Sequence, residues 1–437
     1  MDFCSLSFIF RFLPLFLLAY YLIPDIYRDL VLFLGSIVFY AFVSLPCLPI
    51  LLAIMEANYF IASHTRHGGK KVLACGVILN LAVLVFFKCG LFSMPGISFL
   101  TFQMIAFQID FYRRDIKRLS SFRTFAIMFP KLLSGPITRY QDIRAALTGP
   151  KPIRENLEGG LELFVLGLSY KVLLADRLAG LWNGMQTIGF VSISTPLAWL
   201  GAIGFSLQLY FDFHGYTLMA VGLGKMLGFV LPDNFNAPYW SKSISEFYRR
   251  WHMTLGRWFK DYLYIPLGGS RNGRKRTILN LFIVWLLTGL WHGFGWHYVL
   301  WGLFLFCCIA VEKLFLLQYL EKVPVLSHLY VLFLIPISWM FFAIDKIQDV
   351  WVYLSRMFAP LVHSAGINVY AQDYLKYGKT YGILLVAAIV FALPWPERWL
   401  RKSAGKRFNV IAFFLLFWLS VYEISINTNN PFLYFKF

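Results

Sequence analysis

An all-α, polytopic integral membrane protein is the fold class this sequence predicts, and three observations predict it. Only 14% of the 437 residues are charged and 59% are hydrophobic, whereas a soluble domain carries about 25% charged residues. Most of the surface must therefore face something apolar. Continuous apolar runs recur along the chain, at lengths that suit a hydrocarbon core of about 30 Å. Basic residues, finally, gather into a few short loops, as the positive-inside rule expects of a multi-pass protein. A β-barrel is excluded, because the runs are continuous and not alternating segments of about ten residues.

Taken in order, the apolar runs fall near 5–23, 30–45, 46–62, 72–90, 97–111, 160–176, 192–212, 216–231, 277–293, 296–317, 325–344, 380–394 and 408–425. The first lacks the basic leader and small-residue cleavage site of a secretory signal. It reads as a retained helix, with Arg11 snorkelling or turned inward. Several runs are too short to cross a bilayer unaided and read as re-entrant or tilted half-helices. Gly135-Pro136 and Gly268-Gly269 are breakers inside otherwise buried stretches. The polar stretch 345–379 reads as an extramembrane loop with a short amphipathic helix. The whole chain, 1–437, reads as a single membrane-embedded domain with its core motifs between 97 and 302.

The net charge of +18 is first a statement about topology. Arg66–Lys71, Arg113–Arg123, Lys242–Arg276 and Arg398–Arg407 hold much of it, and all four segments are placed on the cytoplasmic side. No aromatic-interleaved nucleic-acid module is present, so nucleic-acid binding is rejected. The six cysteines, Cys4, Cys47, Cys75, Cys89, Cys307 and Cys308, lack metal-type spacing and read as small packing residues; no metal site is expected. GxSxG, HExxH and Walker patterns are missing, and Lys225 lacks the Walker spacing, which argues against a nucleotide-driven pump.

Polar chemistry concentrates in Asn234–Gly302, where a basic, aromatic-rich segment runs into an apolar helix that carries His292 among apolar residues and glycines. An ionisable group at membrane depth is a functional candidate by default, and a desolvated imidazole favours the neutral form that a general base needs. The plainer reading of His292 is a helix-packing hydrogen bonder. His252 lies between Trp251 and Met253 in the basic segment, where a histidine is ordinary. Phe247, Trp251, Trp258, Phe259 and Tyr262 recur at helical spacing over Ser243–Leu267, with Arg249, Arg250, Arg257 and Lys260 between them. That is the composition of an interfacial helix, and headgroup anchoring alone would account for its cations. Gly289, Gly293, Gly295 and Gly302 suit close helix approach. His214 and His297 are weaker candidates, the latter reaching towards headgroups. His64 and His67 belong to a basic loop, and His328 and His363 to loops or helix ends. A buried imidazole beside a basic patch serves an acyl transfer from a thioester to a hydroxyl. A proton-coupled transporter would use many of the same parts, and the residues alone leave both open.

These blocks resemble the membrane-bound O-acyltransferase family, in its bacterial branch of alginate O-acetyltransferase membrane subunits. NFNAPYWSKSISEFYRRWHMTLGRWFKDYLYIPLGGSRNG is similar to that branch's hallmark block, and LTGLWHGFGWHYVLWG to its histidine block. GISFLTFQMIAFQIDFYR, MFPKLLSGPITRY, LELFVLGLSYKVLLADRLA, LQLYFDFHGYTLMAVGLGKMLGF and NPFLYFKF also fit. The resemblance implies about eleven transmembrane helices, with re-entrant and interfacial helices around a thin central channel. It implies a bacterial inner-membrane enzyme that moves an acyl group, acetyl first among them, from a cytoplasmic thioester to an exported or cell-surface glycan. The implied donor is acetyl-CoA or an acyl carrier, and no bound cofactor is expected. An extracytoplasmic SGNH-type partner relays the group in many members, within a layer of membrane lipid. His292 and His252 carry over as catalytic positions; Arg249, Arg250, Arg257 and Lys260 are expected to hold the donor's phosphates. D-alanyl transfer to teichoic acid from a carrier protein, and an inactive scaffold, are the alternatives. One block departs from the expected FDFSGYSDMA: here His214 replaces a serine and Leu218 an aspartate, which points to a specialised acceptor or another acyl group.

Overall fold

The computed structural model describes residues 1–90, 93–116, 119–149, 153–358, 372–402 and 407–426. His363, part of the 345–379 stretch and the terminal NPFLYFKF lie outside the described residues. Every regular element among the described residues is a helix, so the chain is all-α as expected. Among the described residues, six helical spans are long and apolar enough to cross a membrane: Asp25–Thr65, Gly68–Lys88, Trp296–Leu320, Pro324–Ala343, Asp373–Ala392 and Asn409–Ile426. Phe8–Leu22 is apolar but shorter. The helices form two compact units, each discontinuous in sequence. Among the described residues, one comprises 1–169, 215–233 and 407–426, the other 170–214 and 234–402.

The first unit is built around aromatic packing. Phe129 receives the rings of Phe16 at 5.1 Å, Phe39 at 5.4 Å and Phe12 at 5.5 Å, the first and last edge-on, as ring quadrupoles prefer. The few polar groups inside are served. Ser36 donates to the Leu32 carbonyl and accepts from the Phe129 N–H, and Asn58, Asn80 and Gln108 bond to one another. Buried Lys131 donates to Gln103 and lies 4.2 Å from the Phe125 ring. The runs expected at 46–62 and 72–90 are not parted by a loop. Helix Leu48–Lys88 carries through the basic RHGGKK, kinked where Gly69 alone leaves helical geometry (φ 61°), a conformation glycine adopts without steric cost. The runs expected at 192–212 and 216–231 are one helix, Thr195–Met226. Gly222 packs so close to helix Ile153–Ser169 that a Cβ there would lie 2.5 Å from the Gly160 carbonyl oxygen. Tyr20 and Tyr21 donate to the carbonyls of Leu227 and Met226 at the far end, meeting acceptors that a helix terminus leaves over.

In the second unit, helix Gly273–His292 lies against Trp296–Leu320. A Cβ on Gly302 would fall 2.5 Å from the Trp285 carbonyl oxygen, and one on Gly289 2.5 Å from that of Tyr298. The small residues read from the sequence therefore do bring two backbones together. Pro324–Ala343 packs alongside. Deep in this unit Lys171 pairs with Asp212 at 2.9 Å and Asp176 at 2.5 Å, the arrangement a buried ammonium requires.

Candidate functional site

The basic segment is not the single helix its spacing predicts. It forms two short helices, Ile244–Arg250 and Met253–Phe259, broken at His252, whose backbone is left-handed (φ 45°, ψ 51°). A residue with a Cβ pays about 1–3 kcal/mol for such a conformation and keeps it only where its surroundings over-determine it. The NFN segment does so. The Asn234 carbonyl accepts from the Met253 N–H at 2.9 Å, and the Asn236 N–H donates to the Arg250 carbonyl at 3.0 Å. The first helix is anchored at its start. Glu312, 1% exposed, accepts from the N–H groups of Ile244 at 2.5 Å and Ser245 at 2.9 Å, and Ser243 accepts from Glu246. These bonds answer the orphan donors of a helix N-terminus.

The Asn234 side chain settles the state of His252. Its Oδ1 accepts from the Thr254 N–H at 3.2 Å and the Thr254 hydroxyl at 2.9 Å, and lies 3.0 Å from His252 Nδ1. A backbone N–H only donates, so the shared atom is the amide oxygen and Nδ1 must carry the proton. The lone pair is thereby assigned to Nε2. Burial pushes this imidazole down to about 3, so it is neutral at ordinary pH. The Phe213 ring meets it edge-on at 4.7 Å.

His292 ends its helix, 6% exposed. Its walls are aromatic: Trp291 at 4.4 Å, Phe342 at 4.8 Å, Trp301 at 5.1 Å and Tyr298 at 6.1 Å. Trp291 also lies 6.2 Å from the His252 ring. The two histidines singled out in the sequence are thus one indole apart, although forty positions separate them. His297, expected near headgroups, is 8% exposed and packs on Tyr298 at 4.0 Å. Gly295 makes room for it, since a Cβ there would lie 2.4 Å from His297 Cε1.

The four cations divide. Arg249 and Lys260 are exposed and Arg257 is half-buried. Arg250 is committed to Glu246, its Nη2 at 2.7 Å and its Nε at 2.9 Å. Phe247, Trp251, Trp258, Phe259 and Tyr262 are all buried. The aromatic stripe therefore packs inward and does not form a headgroup belt.

Sequence reasoning missed Asn234, Thr254, Glu312 and Glu397. The first lies within the quoted NFN block, but no pattern marks an amide as a tautomer lock, and no spacing connects Glu312 to residues 244 and 245. Glu397 bonds His214 Nε2 at 2.7 Å and pairs with Arg401 at 2.9 Å. Burial alone would raise the Glu397 carboxyl, but His214 and Arg401 outweigh it and hold the group at about 2. The departure at position 214 thus brings its own carboxylate partner. Leu218 is buried, as an apolar replacement for an acid should be.

Comparison with known proteins shows what the chain is similar to. A family model described as MBOAT, membrane-bound O-acyltransferase family, matches residues 70–321. A protein named "Probable alginate O-acetylase" from Azotobacter vinelandii is 32% identical over the full length of both chains. A "Peptidoglycan O-acetyltransferase" from Helicobacter pylori is 31% identical over 80% of this chain and 78% of its own. A "Teichoic acid D-alanyltransferase" from Bacillus subtilis is 32% identical over 49% of this chain and 58% of its own.

Proposed function

The chain belongs to the membrane-bound O-acyltransferase family, and from that premise we propose that it moves an acyl group, acetyl in the first instance, from a cytoplasmic thioester across the bacterial inner membrane for O-acylation of an exported or cell-surface glycan. It is a multi-pass membrane protein and an O-acyltransferase. The observation that carries the finer reading is the pairing of two buried imidazoles across Trp291, one of them with its proton assigned.

In this reading His292 is the general base. It takes the proton of the attacking hydroxyl as oxygen bonds to the thioester carbonyl carbon. When the carbon–sulfur bond breaks, the imidazolium returns that proton to the thiolate, so atoms and charge balance. His252, neutral and donating through Nδ1 to Asn234, presents Nε2 as an acceptor that orients the donor or shares the proton. Arg249 and Lys260 are the cations best exposed to meet phosphates of acetyl-CoA or of a carrier's phosphopantetheine; Arg257 is partly covered and Arg250 is held by Glu246. The acceptor is a glycan, reached directly or through an extracytoplasmic SGNH-type partner. Acetyl is preferred over D-alanyl because the O-acetylating relatives align over far more of the chain than the D-alanylating one.

Purified protein in liposomes, supplied with acetyl-CoA and a glycan oligosaccharide, tests the reading. Release of free thiol matched by ester formation is expected. Solute flux without thioester consumption would instead make the chain a proton-coupled transporter. Complementation by a His252/His292 double variant would make it a scaffold for another transferase.

A further inference from the structure

We propose that Trp301 is a further catalytic residue, whose indole N–H donates to the thioester carbonyl oxygen and stabilises the charge gathering there as the hydroxyl attacks. The inference rests on the acyl-transfer reading above. Trp301 is 2% exposed, and its Nε1 is a buried donor with no hydrogen-bond acceptor among the described residues. An indole nitrogen can only donate, and a buried one ordinarily finds an acceptor. An orphaned donor inside a protein is costly and calls for an explanation; an incoming carbonyl oxygen would supply the missing acceptor.

Its position suits that task. The indole stands edge-on to the His292 imidazole, at 5.1 Å between centroids and 88° between planes. Phe342 at 5.3 Å, Trp339 at 6.0 Å and Trp285 at 6.2 Å complete the ring wall, and none of these side chains carries an acceptor for the Trp301 N–H. The next residue, Gly302, sits where a Cβ would meet the Trp285 carbonyl oxygen at 2.5 Å. That contact fixes the rotation of the helix and hence of the indole. A donor held rigid in a medium of low dielectric stabilises developing charge without reorganising. As the carbon–oxygen bond forms, the carbonyl electron pair moves onto oxygen and is met by the Trp301 N–H, while the hydroxyl proton goes to His292. Collapse expels the thiolate, which takes the proton back.

The decisive substitution is 3-benzothienylalanine at Trp301, which keeps the ring shape and replaces N–H with sulfur. The readout is kcat and KM for thiol release from acetyl-CoA by the full chain in liposomes, with thermal stability alongside. A fall in kcat of about 10²–10³-fold is expected, the loss typical of one oxyanion donor, with KM within about twofold and stability unchanged. Wild-type kcat in this variant overturns the proposal. So does a loss confined to Trp301→Phe, because ring shape and not the N–H would then be what matters. If the unsubstituted protein releases no thiol, the acyl-transfer reading itself fails, and this inference falls with it.

Discussion

At the scale of single residues, the account turns on how proton positions are fixed. Asn234 holds His252 in one tautomer through an oxygen that also serves Thr254. Asn234→Ala should therefore cost activity nearly as heavily as His252→Ala, about 10²–10⁴-fold if His252 handles a proton; kcat in the liposome assay checks this. The pH dependence of stability follows from the same site. The folded His252 sits at about 3 against an ordinary 6.5, so the unfolded chain takes up the proton first. Its contribution is complete above about 6.5 and drains away as pH falls towards about 3. Glu397, held at about 2 against an ordinary 4.5, loses its contribution only below about 4.5. Between pH 6.5 and 4.5, His252→Asn should flatten the fall in thermal midpoint, whereas Glu397→Gln should leave that window unchanged. Equal slopes in all three proteins would contradict the assignment. Of these residues the sequence makes His292 legible by position, because an ionisable group in an apolar run stands out, and His252 only through the resemblance of its block. Asn234 and Glu312 are not, since their roles exist only once the chain has turned back on itself.

At the scale of elements, the break at His252 is the feature that periodicity concealed. Aromatic spacing of three and four predicts one helix over 243–267, yet hydrogen bonds from residues 234 and 236 impose a left-handed residue in its middle. Local pattern lost to a tertiary clamp. The reverse holds at Gly69, where a basic loop was expected and one glycine suffices for the bend. Glu312 tethers the Ile244–Arg250 helix to a membrane span. Glu312→Ala leaves the buried Ile244 N–H and the part-buried Ser245 N–H unserved, at a cost of about 1–3 kcal/mol for the buried one. A clear drop in the thermal midpoint is expected, together with lost activity through His252. Gly302→Leu should act on the neighbouring helix pair, forcing it apart at a cost of about 1–3 kcal/mol and moving Trp301 away from His292. Wild-type stability and turnover in that variant would show that the close approach does not matter.

At the scale of the whole molecule, fold class was readable because sparse charge and long apolar runs constrain a chain in lipid more tightly than in water, and the family because whole blocks resemble it in order. How the apolar runs divide into spans was less so. Six described helices reach crossing length; the expected runs at 30–45 and 46–62 fall within one of them, and those at 192–212 and 216–231 share the helix Thr195–Met226, which is not among the six. If the positive-inside argument is right, cysteines placed singly at Lys70 and Lys275 should be labelled from the cytoplasmic side and protected from the outside. The central claim, that a thioester meets a hydroxyl at an imidazole buried in this unit, is tested most directly by transfer of radiolabelled acetyl from acetyl-CoA to glycan in sealed liposomes. With His292→Ala, the account predicts a loss of at least about 10²-fold with unaltered insertion and thermal midpoint. Label transfer at the unsubstituted rate would contradict it.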